Sequence, residues 1–541
     1  MHQVPRGTAG RRTAVLSALA AAGALFRIIP AWLPLQWQLG HILSDDTFYY
    51  LTIARRLARS GLPSFDGLAP TNGFHPLWLA LITPFFTVSI SDIAALRLVI
   101  TLCGLLDTMS LLLLIRILRG LHIGFFATGV TAALYAVSPA LLSHAGPLNG
   151  LETSLTLFLL FALLGSYTAV VRSRRDWHAS PGFLGAVMGL AVLARTDTII
   201  IVAVLVAAIA LRNEPGSRRF ALRTAGVAIV VLSPWVLWNM LTFGTVIQVS
   251  GEAHAFSMRA LYQTSGWGPS EYFFRFLLNC ADVFRFFPVT LETDTKLSLA
   301  FLTQSALVAA VALYVWISVR RRLSQSARVL RKRFLLLAPP LMGGVLFVLA
   351  HSVTSIALRG WYYASLLPAS TLLLAAAVDY LSRSPRGPTR NVWCIAGSLV
   401  ILVLISTSVA DHLHRRQGEV EKFTALSAME DVIPRGGRVG SWNAGVYGYF
   451  FSGRTVVNLD GLVNNGVFPH LSDRTLGEYC RTARIAYLVD AKGAFRIWEQ
   501  YWSDQPGALW RSVRVVKSLG PENAESSVTI ASVRANAVPR E

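Results

Sequence analysis

At 541 residues the chain has room for several domains, and with 53% hydrophobic and only 14% charged residues it is too poor in charge for an ordinary soluble protein. The formal net charge of +20 does not mark a nucleic-acid binder, because residues 411–541 hold 16 Lys/Arg against 14 Asp/Glu and are nearly neutral. The basic excess lies in short loops between apolar blocks, at Arg11-Arg12, 172–175, 212–223, 320–333 and 383–390, which is the signature of cytoplasmic turns.

The apolar blocks run to about 20 residues, the length that crosses the hydrocarbon core as a helix. The first, 13–33, is expected to cross outward and to remain as an anchor, since Pro30 and Trp32 follow without a small-residue cleavage site. Residues 34–74 then form a first outer loop. Two apolar segments precede the inside markers Arg116 and Arg119. The full-length one, 93–115, takes the single crossing that the charges require, while 76–90 is short, carries Pro84 and reads as re-entrant or interfacial.

Crossings at 125–143, 151–171, 183–194, 198–211 and 224–242 follow, then a second long outer loop over 243–296. Further crossings fall at 297–319, 334–351, 362–380 and 393–410. The expectation is an all-α polytopic membrane domain over 1–410 with about eleven transmembrane helices. Its N-terminus lies inside, and residues 411–541 lie outside.

The tail reads as small α/β, with strand-like runs at 437–442, 455–459 and 485–490. The glycines of Gly440-Ser441-Trp442-Asn443-Ala444-Gly445 do not match a dinucleotide fingerprint and suit a turn or helix cap. Four cysteines are too few for a disulfide framework. Cys103 and Cys394 fall in apolar spans, which leaves Cys280 and Cys480 as the pair facing outside.

The strongest chemical signal is Ser44-Asp45-Asp46-Thr47-Phe48-Tyr49-Tyr50, just after the first span and at the start of an amphipathic helix. Leu51, Ala54, Leu57 and Ala58 of that helix would face the bilayer, and Arg55, Arg56 and Arg59 phosphates or water. The acids could simply cap the helix and complement its dipole. Two of them beside an anionic outer membrane surface favour a chemical role. Weaker signals are His75, in a turn entering a Pro-initiated segment, and Glu152, at the outer end of a span. Arg195-Thr196-Asp197 breaks a long apolar run. Either Arg195 pairs with Asp197 at a hairpin tip, or it meets an anionic ligand. Arg359 precedes Trp361 and Tyr362 at another outer helix end. All fall on one side of the membrane, where a carboxylate could deprotonate an acceptor hydroxyl while cations stabilise a departing lipid phosphate.

These residues resemble the GT-C class of membrane glycosyltransferases, in particular the aminoarabinose and protein O-mannosyl transferase branches. Asp45-Asp46 with Tyr49-Tyr50 and Ile53-Ala54-Arg55 looks like the first-loop acidic motif of that class. His75-Pro76-Leu77 is similar to its His/Lys-Pro-Pro-Leu segment without the second proline. Glu152 matches the acidic position of the second outer loop, and Gly189 through Arg195 a helix ending in a phosphate-binding Lys. Arg359 through Pro368 resembles a late Arg-Tyr…Leu-Pro segment.

The resemblance implies an inverting transferase that moves a sugar from a polyprenyl-phosphate donor to the hydroxyl of a glycan, glycolipid or protein acceptor. The setting is the outer face of a bacterial cytoplasmic membrane. It implies Asp45 as catalytic base with Asp46 as helper or substitute, and Arg195, Arg359 and His75 on the donor phosphate. Glu152, Tyr49, Tyr362, Glu252 and His254 would bind substrate. Arginines suffice to neutralise one phosphodiester charge, although some relatives use a divalent metal. The rival expectations are a flippase of lipid-linked sugars and a non-catalytic cell-envelope assembly subunit.

Overall fold

The computed structural model describes residues 6–88, 91–136, 146–172, 180–282, 325–355, 360–382, 417–520 and 524–534. Among these, six helices are long and apolar enough to cross a membrane, and four shorter apolar helical stretches accompany them. The expected crossings at 297–319 and 393–410, together with Arg359 and Cys394, lie outside the described residues.

The first half runs through α1 (Arg6–Ile28), α2 (Leu35–His41), α3 (Asp45–Ser60), α4 (Pro76–Ile82), α5 (Asp92–Gly120) and α6 (Phe125–Ala136). It continues with α7 (Thr153–Val171), α8 (Pro181–Ala194), α9 (Ile199–Ala210) and α10 (Ser217–Phe243). The segment after α10 folds into α11 (Val249–Thr264) and α12 (Pro269–Asp282), and two more apolar helices are α13 (Gln325–Ser355) and α14 (Leu367–Ser382).

Small residues let these helices approach closely. A methyl group on Gly185 would stand 2.4 Å from the Thr224 carbonyl oxygen, and one on Gly189 2.7 Å from Val231, so α8 packs on α10 backbone to backbone. The other face of α10 is apolar and open, with Leu241 85% and Val230 69% exposed, as a lipid-facing surface requires. Deep between α1, α5 and α6, Arg27 and Asp107 form a fully buried ion pair of 2.6 Å. The Gly23, Tyr135 and Ala136 carbonyls accept from the same guanidinium, and the Tyr135 hydroxyl donates to Asp107. A buried charge pair is tolerated only when its remaining donors and acceptors are satisfied in this way.

The tail is α/β, as expected. After α15 (Gly418–Val432) come β1 (Arg438–Ser441), α16 (Gly445–Phe450), β2 (Thr455–Asn458), β3 (Tyr487–Ala491), β4 (Val513–Leu519) and β5 (Val528–Val533). The sheet order is β2-β1-β3-β5-β4, parallel among the first three strands and antiparallel through β5 and β4. The sequence runs anticipated the three buried strands. They missed β5 and the edge strand β4, in which Arg514, Val515 and Val516 are all exposed. Cys480 is a free thiol buried in the tail core rather than facing solvent.

One expectation is corrected. The helix after the acidic pair, α3, does not lie on the bilayer surface, since Leu51, Ile53 and Ala54 are completely buried. The tail covers it. Arg55 donates to the Tyr449 and Gly448 carbonyls of α16 and pairs with Asp92, while Arg56 donates to the Phe65 carbonyl. Of the basic stripe that suggested lipid phosphates, Arg55 is used for docking to the tail and Arg56 for holding the first loop.

Candidate functional site

The site is built on the first turn of α3. Ser44 and Thr47 close a capping box there, and Asp45 and Asp46 sit where the helix dipole favours negative charge. The Asn149-Gly150-Leu151-Glu152 turn packs on the same point. Thr47 donates to the Asn149 carbonyl, Trp78 donates to that of Gly150, and Gly150 adopts φ +79° against the Thr47 methyl. This turn brings Glu152 beside the acidic helix.

The two acids have different surroundings. Asp45 is buried, with Oδ2 accepting from the Gly445 N–H at 2.9 Å and Oδ1 from the Val446 N–H at 3.1 Å, and with Lys422 Nζ 2.9 Å away. Burial works against the Lys422 ammonium, but the Asp45 charge outweighs it and holds its pKa above the usual lysine range. Asp46 is half-buried, and its charge is felt at Tyr49, Tyr362 and Asp460. Asp460 comes from the loop after β2. Burial pushes its carboxyl well above the usual range, and the Asp46 and Asp45 charges add to this, against the Leu462 N–H and Asn458.

A second cluster lies beyond Tyr362. Arg195, at the tip between α8 and α9, is 3% exposed and bonds Glu152 at 3.0 Å and Asp197 at 3.0 Å. The ring of Tyr362 covers it at 4.3 Å. His351 Nε2 stands 2.9 Å from Asp197, and His75 Nε2 3.7 Å from Glu152. The Thr196 N–H donates to His75 Nδ1 at 3.4 Å, which places the ring proton on Nε2, toward Glu152. Burial and the Arg195 charge hold the His75 imidazole below its ordinary pKa, with Glu152 opposing. Gln248 ties this tip to the first loop through Thr196 and the Phe74 carbonyl.

The structure thus brings together Asp45, Asp46, His75, Glu152, Arg195 and Tyr362. The two alternatives for Arg195 resolve in part: it does pair with Asp197, and it reaches Glu152 as well. His254 stacks on Tyr362 at 6.0 Å between ring centres. Glu252 points outward from α11, and Tyr49 faces the tail, where its hydroxyl contacts Trp442, Ala444 and Asn458.

Sequence reading missed His351, Lys422 and any role for Asp460. His351 was legible as a histidine at the end of an apolar block. Lys422 carried no local signal, because its partner lies in another domain. Among the described residues no group of three or more His, Cys, Asp or Glu is arranged to hold a metal ion.

Helices of this order and packing, with the acidic first loop folded over them, define a multi-pass membrane protein with the architecture of a GT-C-type glycosyltransferase. More particularly, residues 74–238 match the family described as dolichyl-phosphate-mannose-protein mannosyltransferase, and residues 411–531 match a domain of unknown function.

The fold is similar to that of the Archaeoglobus fulgidus oligosaccharyltransferase in its apo form, with TM-score 0.57 and 14% identity over 95% of this chain and 74% of that one. The same organism's oligosaccharyltransferase AglB, in complex with an inhibitory peptide and a dolichol-phosphate, superposes with TM-score 0.58 and 13% identity over 99% and 75%. ArnT from Cupriavidus metallidurans bound to undecaprenyl phosphate gives TM-score 0.53 and 11% identity over 98% and 99%. No curated protein matches the chain in sequence.

Proposed function

We propose that the chain transfers a sugar from a polyprenyl-phosphate donor to an acceptor hydroxyl at the extracytoplasmic face of a bacterial cytoplasmic membrane, with inversion at the anomeric carbon. The observation that carries this reading is the pairing of two clusters across Tyr362. A half-buried carboxylate, Asp46, stands on one side, and an arginine with two flanking histidines stands on the other. Both lie at the end of the helices that the basic loops assign to the outside.

Asp46 is the base. It takes the proton from the acceptor hydroxyl as that oxygen bonds to the anomeric carbon. The bond from that carbon to the phosphate oxygen breaks, and its electron pair leaves with the lipid phosphate. Asp45 is gripped by the tail and serves as the fixed anion of the pair. Arg195, His75 and His351, with Arg359, receive the phosphate. Glu152, Tyr362 and His254 line the path between donor and base. Arg195 already carries two carboxylates, so a phosphate brings a further negative charge into the cluster, and protonation of His75 offsets it.

The test is lipid-linked-sugar profiling of a deletion strain. The reading expects one polyprenyl-phosphate sugar to accumulate and to be consumed again on complementation with the wild-type chain, but not with Asp46→Asn. A strain that accumulates no lipid-linked sugar, or an Asp46→Asn chain that restores turnover, overturns it.

A further inference from the structure

Two turns of the tail, after β1 and after β2, converge on α3. After β1, the Ser441-Trp442-Asn443 turn is fixed by Asp490, which accepts from the Ser441 hydroxyl at 3.0 Å and from the Trp442 and Asn443 N–H groups at 2.9 and 2.8 Å. The next two N–H groups, of Gly445 and Val446, are thereby aimed at Asp45. After β2, Asn458 accepts from the Gly461 N–H and donates to the Tyr49 hydroxyl. Lys422 completes the grip from α15. Three donors of the tail, the Lys422 ammonium and the Gly445 and Val446 N–H groups, thus converge on the Asp45 carboxylate.

We infer that Lys422 is a positioning residue: by holding Asp45 as a docked anion it sets the direction and proton affinity of Asp46, which makes the tail domain a working part of the transfer site. This rests on the reading of Asp46 as the base. Two adjacent carboxylates disfavour each other's ionisation, and a cation on one of them relieves the other. Glu419, Asp490 and Tyr447 face Lys422 and Asp45 from the tail. Asp460, Tyr49 and Tyr362 face Asp46, with Arg195 behind Tyr362.

The experiment is the pH profile of sugar transfer by the full-length protein in detergent, with the lipid extract of the deletion strain as donor. Lys422→Met adds an uncompensated negative charge, so the acid limb of kcat/KM moves up by about one pH unit. The rate at neutral pH falls several-fold while donor KM stays within about twofold. Lys422→Arg restores the wild-type limb. Asp45→Asn removes the neighbouring charge and keeps one amide oxygen as acceptor for the tail N–H groups, so its limb moves down.

Opposite shifts in the two variants support the inference. A uniform loss of rate with an unmoved limb overturns it and leaves Lys422 as a mere domain contact. If Lys422→Met is inactive throughout, the Asp45→Asn limb decides alone: a downward shift supports the inference, and no shift overturns it. Asp46→Asn in the same preparation separates the two claims. If it transfers sugar, the base assignment fails; if it is inactive and the limbs do not move, only the positioning fails.

Discussion

Arg195 lies 4.3 Å beneath the ring of Tyr362 while bonding the carboxylates of Glu152 and Asp197 at 3.0 Å each. One cation therefore holds two acids from different segments, and with them the tip between α8 and α9 against the start of α7. Arg195→Ala leaves the buried Glu152 without its cation, while Asp197 keeps His351, and the cost is about 3–5 kcal/mol, the penalty for breaking a buried pair. Arg195→Lys keeps the charge but loses the planar fork, and retains part of the stability. Thermal unfolding in detergent reads both. Equal melting of Arg195→Ala and wild type would show that the tip is held by packing alone.

Donor binding should be pH-dependent through His75. Its imidazole titrates below the ordinary range because it is buried beside Arg195. A phosphate placed there stabilises the protonated ring, so a proton is taken up on binding. The affinity for undecaprenyl phosphate, measured by calorimetry, is expected to fall as pH rises from about 5.5 to 7.5, the window just below and through the usual histidine value. His75→Gln should flatten that dependence. A wild-type affinity constant across the window removes His75 from the phosphate site.

The sidedness rests on basic loops and is directly measurable. A reporter active only outside the cytoplasm is expected to be active when fused after Val420 and silent when fused within 320–333. The reverse pattern would put the acidic pair on the wrong face for a lipid-linked donor delivered outside.

The membrane helices were legible because their signal is length and apolarity, which the bilayer reads locally. The shortness of the 76–90 segment was legible too: α4 is seven residues long, begins at Pro76 and passes into a short 3-10 turn at Pro84. The orientation of α3 was not legible. Its apolar and basic faces are what either a lipid surface or a docked domain would demand, and the deciding partners, Tyr449 and Gly448, lie almost 400 positions away in sequence. The same distance hid Lys422. The residue types at the site were readable from order along the chain, whereas the difference between Asp45 and Asp46 is a property of tertiary contact.

Asp460 gives a stability signature with a defined sign. Its carboxyl is raised above the unfolded value by burial, with Asp46 and Asp45 adding to it, so the folded tail binds a proton that the unfolded chain has released. Stability is therefore greatest at or below the unfolded carboxyl pKa of about 3.9 as far as this group is concerned, and is lost as pH rises toward the folded value. Asp460→Asn keeps the acceptor for the Leu462 N–H and abolishes the titration. Relative to wild type it is expected to gain stability as pH rises from 4 to 8. A difference in melting temperature that does not change with pH would mean Asp460 stays ionised in the fold.

The docking of the tail on the first loop can be tested without touching a charged group. A methyl group at Gly445 would stand 2.0 Å from the Asp45 carbonyl oxygen and 2.9 Å from its carboxyl carbon. At Gly73 it would stand 2.0 Å from the Leu462 carbonyl oxygen. Both neighbours are backbone of the facing domain, so neither can yield without the two halves separating. Gly445→Ala and Gly73→Ala are each expected to lower the melting temperature and to expose the tail to proteolysis. Gly445→Ala should reduce sugar transfer further, because it displaces the acid next to the base. The control is Gly251→Ala, inside α11, where an added methyl group meets nothing within 4 Å. There the substitution should be neutral or stabilising by up to about 1 kcal/mol, from the ordinary preference of helices for alanine. If all three variants melt and transfer alike, the tail is not seated on α3 as described, and the grip on Asp45 falls with it.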